Sequence, residues 1–136
     1  MIKYNLSFNM FHFNHPCTLM IAGPTGCGKT QFISSVIHNK LFDPMPNGKL
    51  IWIYGEYQPN IYDSHKSEGF EFIKDGADDP SLIERFSSNE SNLLIIDDQM
   101  ESVLKSKVVS KLFTQGSHHR NLSVVLLMQN LYAQGD

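Results

Sequence analysis

The sequence predicts an α/β fold, a three-layer sandwich around a mostly parallel central sheet, and two observations carry that prediction. Short apolar runs of strand length alternate with segments whose apolar residues recur at helical spacing, an order that gives parallel strands joined by right-handed crossovers. The first run passes into the first helical segment through a glycine-rich turn. With 136 residues, 41% hydrophobic and 18% charged, the chain has the makeup of a globular domain that buries a core. It is read as one domain over residues 1–136, with 1–16 as an N-terminal lead-in.

The elements follow in order. After an aromatic-rich start and the breaker Asn14-His15-Pro16, residues 17–22 form a continuous apolar run, expected as a first strand buried on both faces. Residues 23–28 are a glycine-rich turn. From Lys29 the apolar residues fall at Phe32, Ile33, Val36, Ile37 and Leu41, one face of a first helix. Pro44, Pro46 and Asn47-Gly48 break the chain, and Leu50-Ile51-Trp52-Ile53-Tyr54, β-branched and aromatic, is a second strand. Signals weaken between Glu56 and Asn92, with a short strand expected over 70–74, a helix over 80–86 and a polar loop over 87–92. Residues 93–96 are a third strand. Val103, Leu104, Val108, Val109, Leu112 and Phe113 then mark a helix expected to stop at Gly116, and residues 122–128 a fourth strand ending at Gln129.

Composition excludes several classes. The formal charge of −3 gives no bulk attraction to nucleic acid, so any DNA contact is local. The longest apolar runs, four to seven residues, fall far short of the roughly 20 that span a bilayer. The start, MIKYNLSFNMFHF, interrupts its apolar residues with Asn and Ser and has no signal-peptide core, which predicts an intracellular protein. Cys17 and Cys27 are separated by a strand, about 20 Å or more by strand rise, too far for a disulfide and consistent with a reducing compartment.

The chemistry lies in the turns. Gly23-Pro24-Thr25-Gly26-Cys27-Gly28-Lys29-Thr30 fits G-x-x-x-x-G-K-[ST], placed after a strand and opening a helix. In such a loop successive N–H groups face a phosphate, Lys29 reaches the β- and γ-phosphates of ATP, and Thr30 ligates Mg²⁺. A second signal is Leu93-Leu94-Ile95-Ile96-Asp97-Asp98, a strand delivering two carboxylates in the Walker B arrangement. Asp97 beside Thr30 would complete the Mg²⁺ shell, leaving Asp98 to orient or deprotonate the water that attacks the γ-phosphate. One strand stands between the loop helix and the Asp97 strand, which resembles the P-loop ATPase division with an additional strand. There Gln129 lies between the two motifs, as a γ-phosphate sensor or as a plain strand cap.

The run Leu112-Phe113-Thr114-Gln115-Gly116-Ser117-His118-His119-Arg120-Asn121-Leu122, continuing through Val124-Val125-Leu126-Leu127-Met128-Gln129-Asn130-Leu131, joins GPTGCGKT and IIDDQM in resembling the genome-packaging ATPases of large DNA viruses and Polinton elements. Those belong to the FtsK/HerA superfamily of ring-forming DNA translocases. The similarity spans residues 17–134 and is strong at three motifs. It implies ATP-driven movement of double-stranded DNA by a homo-oligomeric ring, with capsid or portal components as partners, no membrane, and a nuclear or virion-associated setting. Many such relatives carry Glu after the Walker B Asp, where this chain has the shorter Asp98; Glu56, at the end of the second strand, is the backup base. Relatives also continue into a further strand, so the domain is expected to be truncated at its C-terminus.

Arg85 and Arg120 are the sole arginines. Arg120 precedes the fourth strand, about 25 Å from the nucleotide end by strand rise, so it serves either as an arginine finger in trans or as a surface residue. His118-His119 lack further ligands at metal spacing and read as a structural turn. Lys105, Lys107 and Lys111 either line a DNA pore or form a solvated helix face. The rivals to the motor are a P-loop kinase and a nucleotide-binding module without productive turnover.

Overall fold

The computed structural model describes residues 11–24, 26–97 and 105–129. Its strands are β1 (Phe13–Asn14), β2 (Thr18–Ala22), β3 (Phe42–Asp43), β4 (Leu50–Tyr54), β5 (Glu71–Lys74), β6 (Asn92–Asp97) and β7 (Leu122–Met128). Its helices are α1 (Lys29–His38), α2 (Pro59–Lys66), α3 (Ser81–Glu84) and α4 (Lys107–His119). Five strands form one sheet in the order β2-β7-β6-β4-β5, and β1 pairs with β3 beside it. Every pairing among the described residues is parallel.

Side-chain alternation along the central strands divides the core in two, as a period of two residues requires. Ile51 and Ile53 of β4, Leu94 and Ile96 of β6, and Val124, Leu126 and Met128 of β7 pack with Leu82, Val108, Val109 and Leu112 on the α3 and α4 side. The intervening residues Leu50, Trp52, Leu93, Ile95, Val125 and Leu127 pack with Ile33, Val36, Ile37 and Tyr62 on the α1 and α2 side. The result is the three-layer α/β sandwich expected, consistent with a P-loop NTPase fold. No helix among the described residues is long and apolar enough to cross a membrane.

The ends of the strands opposite the glycine loop are tied by polar side chains. Buried Asn92 accepts from the Lys49 N–H at 3.0 Å and donates to the carbonyls of Ser87, Glu90 and Arg120. Buried His15 places Nδ1 2.6 Å from Ser123 Oγ and Nε2 2.8 Å from Ser91 Oγ. These contacts pay for burying polar groups between β6 and β7 and fix where both strands start.

Several expectations are corrected. The first strand is not buried on both faces: β2 stands at one edge of the described sheet, paired with β7 alone, and Met20 is 43% exposed. Phe32, assigned to the buried face of the first helix, is 48% exposed, because α1 turns Ile33, Val36 and Ile37 to the sheet instead. Gly116 does not stop the second long helix. It is buried within α4, where a Cβ would come 3.0 Å from Leu122 Cδ2, so the glycine permits close approach of helix and strand. His118 and His119 consequently lie in the last turn of α4 rather than in a turn after it. Helix α2 was not expected from the sequence, and α3 is shorter than the predicted 80–86.

Candidate functional site

Parallel strands direct their C-terminal ends to one rim, where open α/β sheets bind ligands. β2 runs into the glycine loop there, and the Gly23 N–H donates to Met128 O at 3.0 Å, fastening the start of the loop to the end of β7. The loop turns through Cys27 N–H to Pro24 O at 3.2 Å. Gly26 and Gly28 take φ of +85° and +99°, left-handed values that cost other residues strain, and Gly28 caps α1 in that conformation. Gly23 is constrained differently: a Cβ there would meet Cys27 Sγ at 2.7 Å.

Lys29 is the first residue of α1, and its side chain folds back over the loop. Nζ donates to Gly23 O at 2.6 Å and to Pro24 O at 3.1 Å, and the residue is only 8% exposed. The ammonium is thus held inside the curve of the loop, at the amino end of a helix whose dipole also favours an anion. Next along the helix, Thr30 Oγ1 donates to Asp97 Oδ2 at 3.0 Å. A hydroxyl and a carboxylate, separated by 67 positions in sequence, are therefore in contact beneath the glycine loop. Both are hard oxygen donors of the kind Mg²⁺ takes, so the residues present fit that ion.

Asp97 is 6% exposed at the end of β6 and accepts a second hydrogen bond, from Tyr62 Oη, at 2.6 Å. Burial and then the neighbouring Asp97 charge push the Tyr62 phenol far above its ordinary range, so it remains a donor. Tyr62 is held by stacking on Phe72, with centroids 4.9 Å apart, and by contact with Trp52. Sequence reasoning missed this residue. α2 carries few apolar residues, and only the proline at its first position signalled a helix start.

The remaining residues singled out from the sequence are placed as follows. Gln129 is exposed immediately after β7, which lies between β2 and β6, so it stands on the rim between the glycine loop and Asp97. Glu56 is exposed two residues beyond β4 on the same rim. Thr25 and Asp98 lie outside the described residues. Arg120 caps the C-terminus of α4 at the opposite end of the sheet and donates to Phe86 O at 3.1 Å. Lys107 and Lys111 are exposed on α4, four residues apart, whereas exposed Lys105 precedes that helix.

Cys17 and Cys27 are free thiols, and Cys27 is exposed on the loop. Alkylation of Cys27 adds bulk where Gly23 and Cys27 already crowd, so it should block nucleotide binding while bound ATP protects the thiol. Labelling with and without ATP, followed by mass spectrometry, checks this; equal labelling would contradict it.

A family model for the poxvirus A32 protein matches residues 7–133, nearly the whole chain. The chain belongs to the poxvirus A32 protein family. This is a viral packaging-ATPase family, which agrees with the fold and gives the viral part of the sequence resemblance independent support. No curated protein matches the chain.

Proposed function

We propose that the chain is the ATP-binding and ATP-hydrolysing core of a DNA translocase of the FtsK/HerA type, acting in packaging of a viral or mobile-element genome. The observation that carries the reading is the Thr30–Asp97 contact beneath the loop that holds Lys29. Membership of the poxvirus A32 protein family supports the packaging role. In this reading residues 23–30 cradle the triphosphate of ATP, with Lys29 exchanging the carbonyls of Gly23 and Pro24 for phosphate oxygens. Thr30 and Asp97 hold Mg²⁺, and Tyr62 keeps the Asp97 carboxylate oriented. Bound Mg²⁺ supplies charge neutralisation at the β- and γ-phosphate oxygens.

Asp98 takes a proton from the attacking water or orients it, with Glu56 as the alternative base on the same rim. Gln129 senses the γ-phosphate. Arg120, at the far end of its own sheet, acts on a neighbouring subunit's nucleotide, which makes hydrolysis depend on a homo-oligomeric ring. Lys105, Lys107 and Lys111 face double-stranded DNA, and capsid or portal components are the further partners, in the nucleus or the virion.

Asp98→Asn separates a motor from a passive binder. ATP affinity should stay within about twofold of wild type, while turnover falls by at least about 100-fold, the lower end of the range that general-base catalysis contributes. Nucleotide binding and phosphate release measured on the same preparation check this. Unchanged release would remove Asp98 from the reaction.

A further inference from the structure

Away from the glycine loop, the ends of α1 and α2 bring together His38, His65 and Glu68, whose ligand-type atoms all lie within 4.8 Å of one another. His38 closes α1, His65 sits in the last turn of α2, and Glu68 follows that helix. Both histidines present the same nitrogen to one carboxylate. His38 Nδ1 lies 3.4 Å from Glu68 Oε2, and His65 Nδ1 contacts Glu68 Oε1. Each imidazole keeps its other nitrogen for a serine hydroxyl, His65 Nε2 with Ser34 at 2.7 Å and His38 Nε2 with Ser64 at 3.3 Å. The two rings are stacked, with centroids 4.2 Å apart.

Two stacked imidazoliums at this separation would repel, so the rings sit together as neutral groups whose Nδ1 atoms face the two oxygens of one carboxylate. A divalent cation satisfies both Nδ1 atoms and the carboxylate together, and outer hydrogen bonds to the far ring nitrogens are what orient ligating histidines. The 3.4 Å between His38 Nδ1 and Glu68 Oε2 is close to the ligand separation of about 3.3–3.5 Å set by tetrahedral zinc with bonds of roughly 2.0–2.1 Å, whereas the closer His65–Glu68 contact is a hydrogen bond that a bound ion would replace and open. His65 is fully buried, whereas His38 and Glu68 are exposed.

We propose that His38, His65 and Glu68 bind a divalent transition metal, zinc in particular, that clamps the end of α1 to the end of α2. Two imidazoles and one carboxylate select zinc or cobalt over Mg²⁺, which prefers oxygen ligands. The clamp joins the helix that starts with Lys29 and Thr30 to the helix that carries Tyr62, so metal stiffens the two supports of Asp97. The inference stands on the three side chains alone and does not depend on the ATPase reading.

The test is zinc binding by equilibrium dialysis on the full chain, in excess Mg²⁺ to occupy the oxygen ligands of Thr30 and Asp97. It is paired with cobalt quenching of Trp52, the single tryptophan, whose ring lies 5.4 Å from that of His65. Wild type should bind one equivalent of zinc and lose Trp52 fluorescence with cobalt. His38→Ala, at an exposed position, and Glu68→Gln should each weaken zinc binding by more than about tenfold and abolish the quench, with circular dichroism unchanged. A variant carrying His118→Asn and His119→Asn should bind as wild type. The proposal is overturned if wild type binds no stoichiometric zinc, if His38→Ala and Glu68→Gln bind as wild type does, or if binding is lost only with His118 and His119.

Discussion

Lys29→Ala should abolish measurable ATP binding and lower turnover by at least about 100-fold, the scale on which losing one preorganised charged donor acts. In the proposed complex the wild-type ammonium would need no conformational search to reach phosphate, because Gly23 O and Pro24 O already hold it 2.6 and 3.1 Å away inside the loop. Alanine keeps the helix, since α1 is anchored to the sheet by Ile33, Val36 and Ile37 rather than by its first residue. The loss should therefore appear in nucleotide titrations while the far-ultraviolet circular dichroism stays that of wild type. A variant that still binds ATP with wild-type affinity would contradict the placement of the phosphates over residues 23–30.

Asp97→Asn is expected to be nearly as severe for turnover and to differ in its signature. One oxygen of Asp97 accepts from both Thr30 Oγ1 and Tyr62 Oη. Asparagine preserves the shape and can still accept, so folding stability should change by only about 1–2 kcal/mol, the worth of a weakened hydrogen bond to a formerly charged group. The charge proposed to hold Mg²⁺ is lost. The Mg²⁺ concentration for half-maximal hydrolysis should rise by more than the roughly 10–100-fold that loss of an outer hydrogen-bond partner costs, and turnover at saturating Mg²⁺ should fall by at least about 100-fold. Mg²⁺ titrations of hydrolysis beside a thermal melt distinguish this from unfolding. A normal Mg²⁺ dependence would show that Asp97 is a structural carboxylate held by Thr30 and Tyr62.

Much of this arrangement was legible in the residues, for identifiable reasons. β4, β6 and β7 are covered on both faces, so Leu50–Tyr54, Asn92–Asp97 and Leu122–Met128 are near-continuous apolar runs that stand out from their polar flanks. The same pattern misled at β2, where an apolar run lies at an edge: run length reports apolarity and carries no information about neighbours. Gly116 was misread because glycine at a helix end and glycine under a packed Leu122 look alike in sequence.

The glycine loop, Thr30 and Asp97 were legible because the proposed phosphate and Mg²⁺ chemistry would require these residue types at fixed spacing. Tyr62 was not. Its bond to Asp97 crosses 35 positions from a helix with only two buried residues, Tyr62 and His65, too few to raise an apolar period. The His38, His65 and Glu68 group escaped for the same reason, since its members meet only when α1 and α2 pack side by side. The paired His118 and His119 drew attention by adjacency, yet they sit in the last turn of α4, away from that group.

The central claim is that the loop, Thr30 and Asp97 drive turnover coupled to DNA. Steady-state ATP hydrolysis with and without double-stranded DNA, beside Lys29→Ala, tests it most directly. The predicted result is hydrolysis that rises when DNA is added and vanishes in the variant. ATP binding without hydrolysis under either condition, or hydrolysis unchanged in Lys29→Ala, would contradict it.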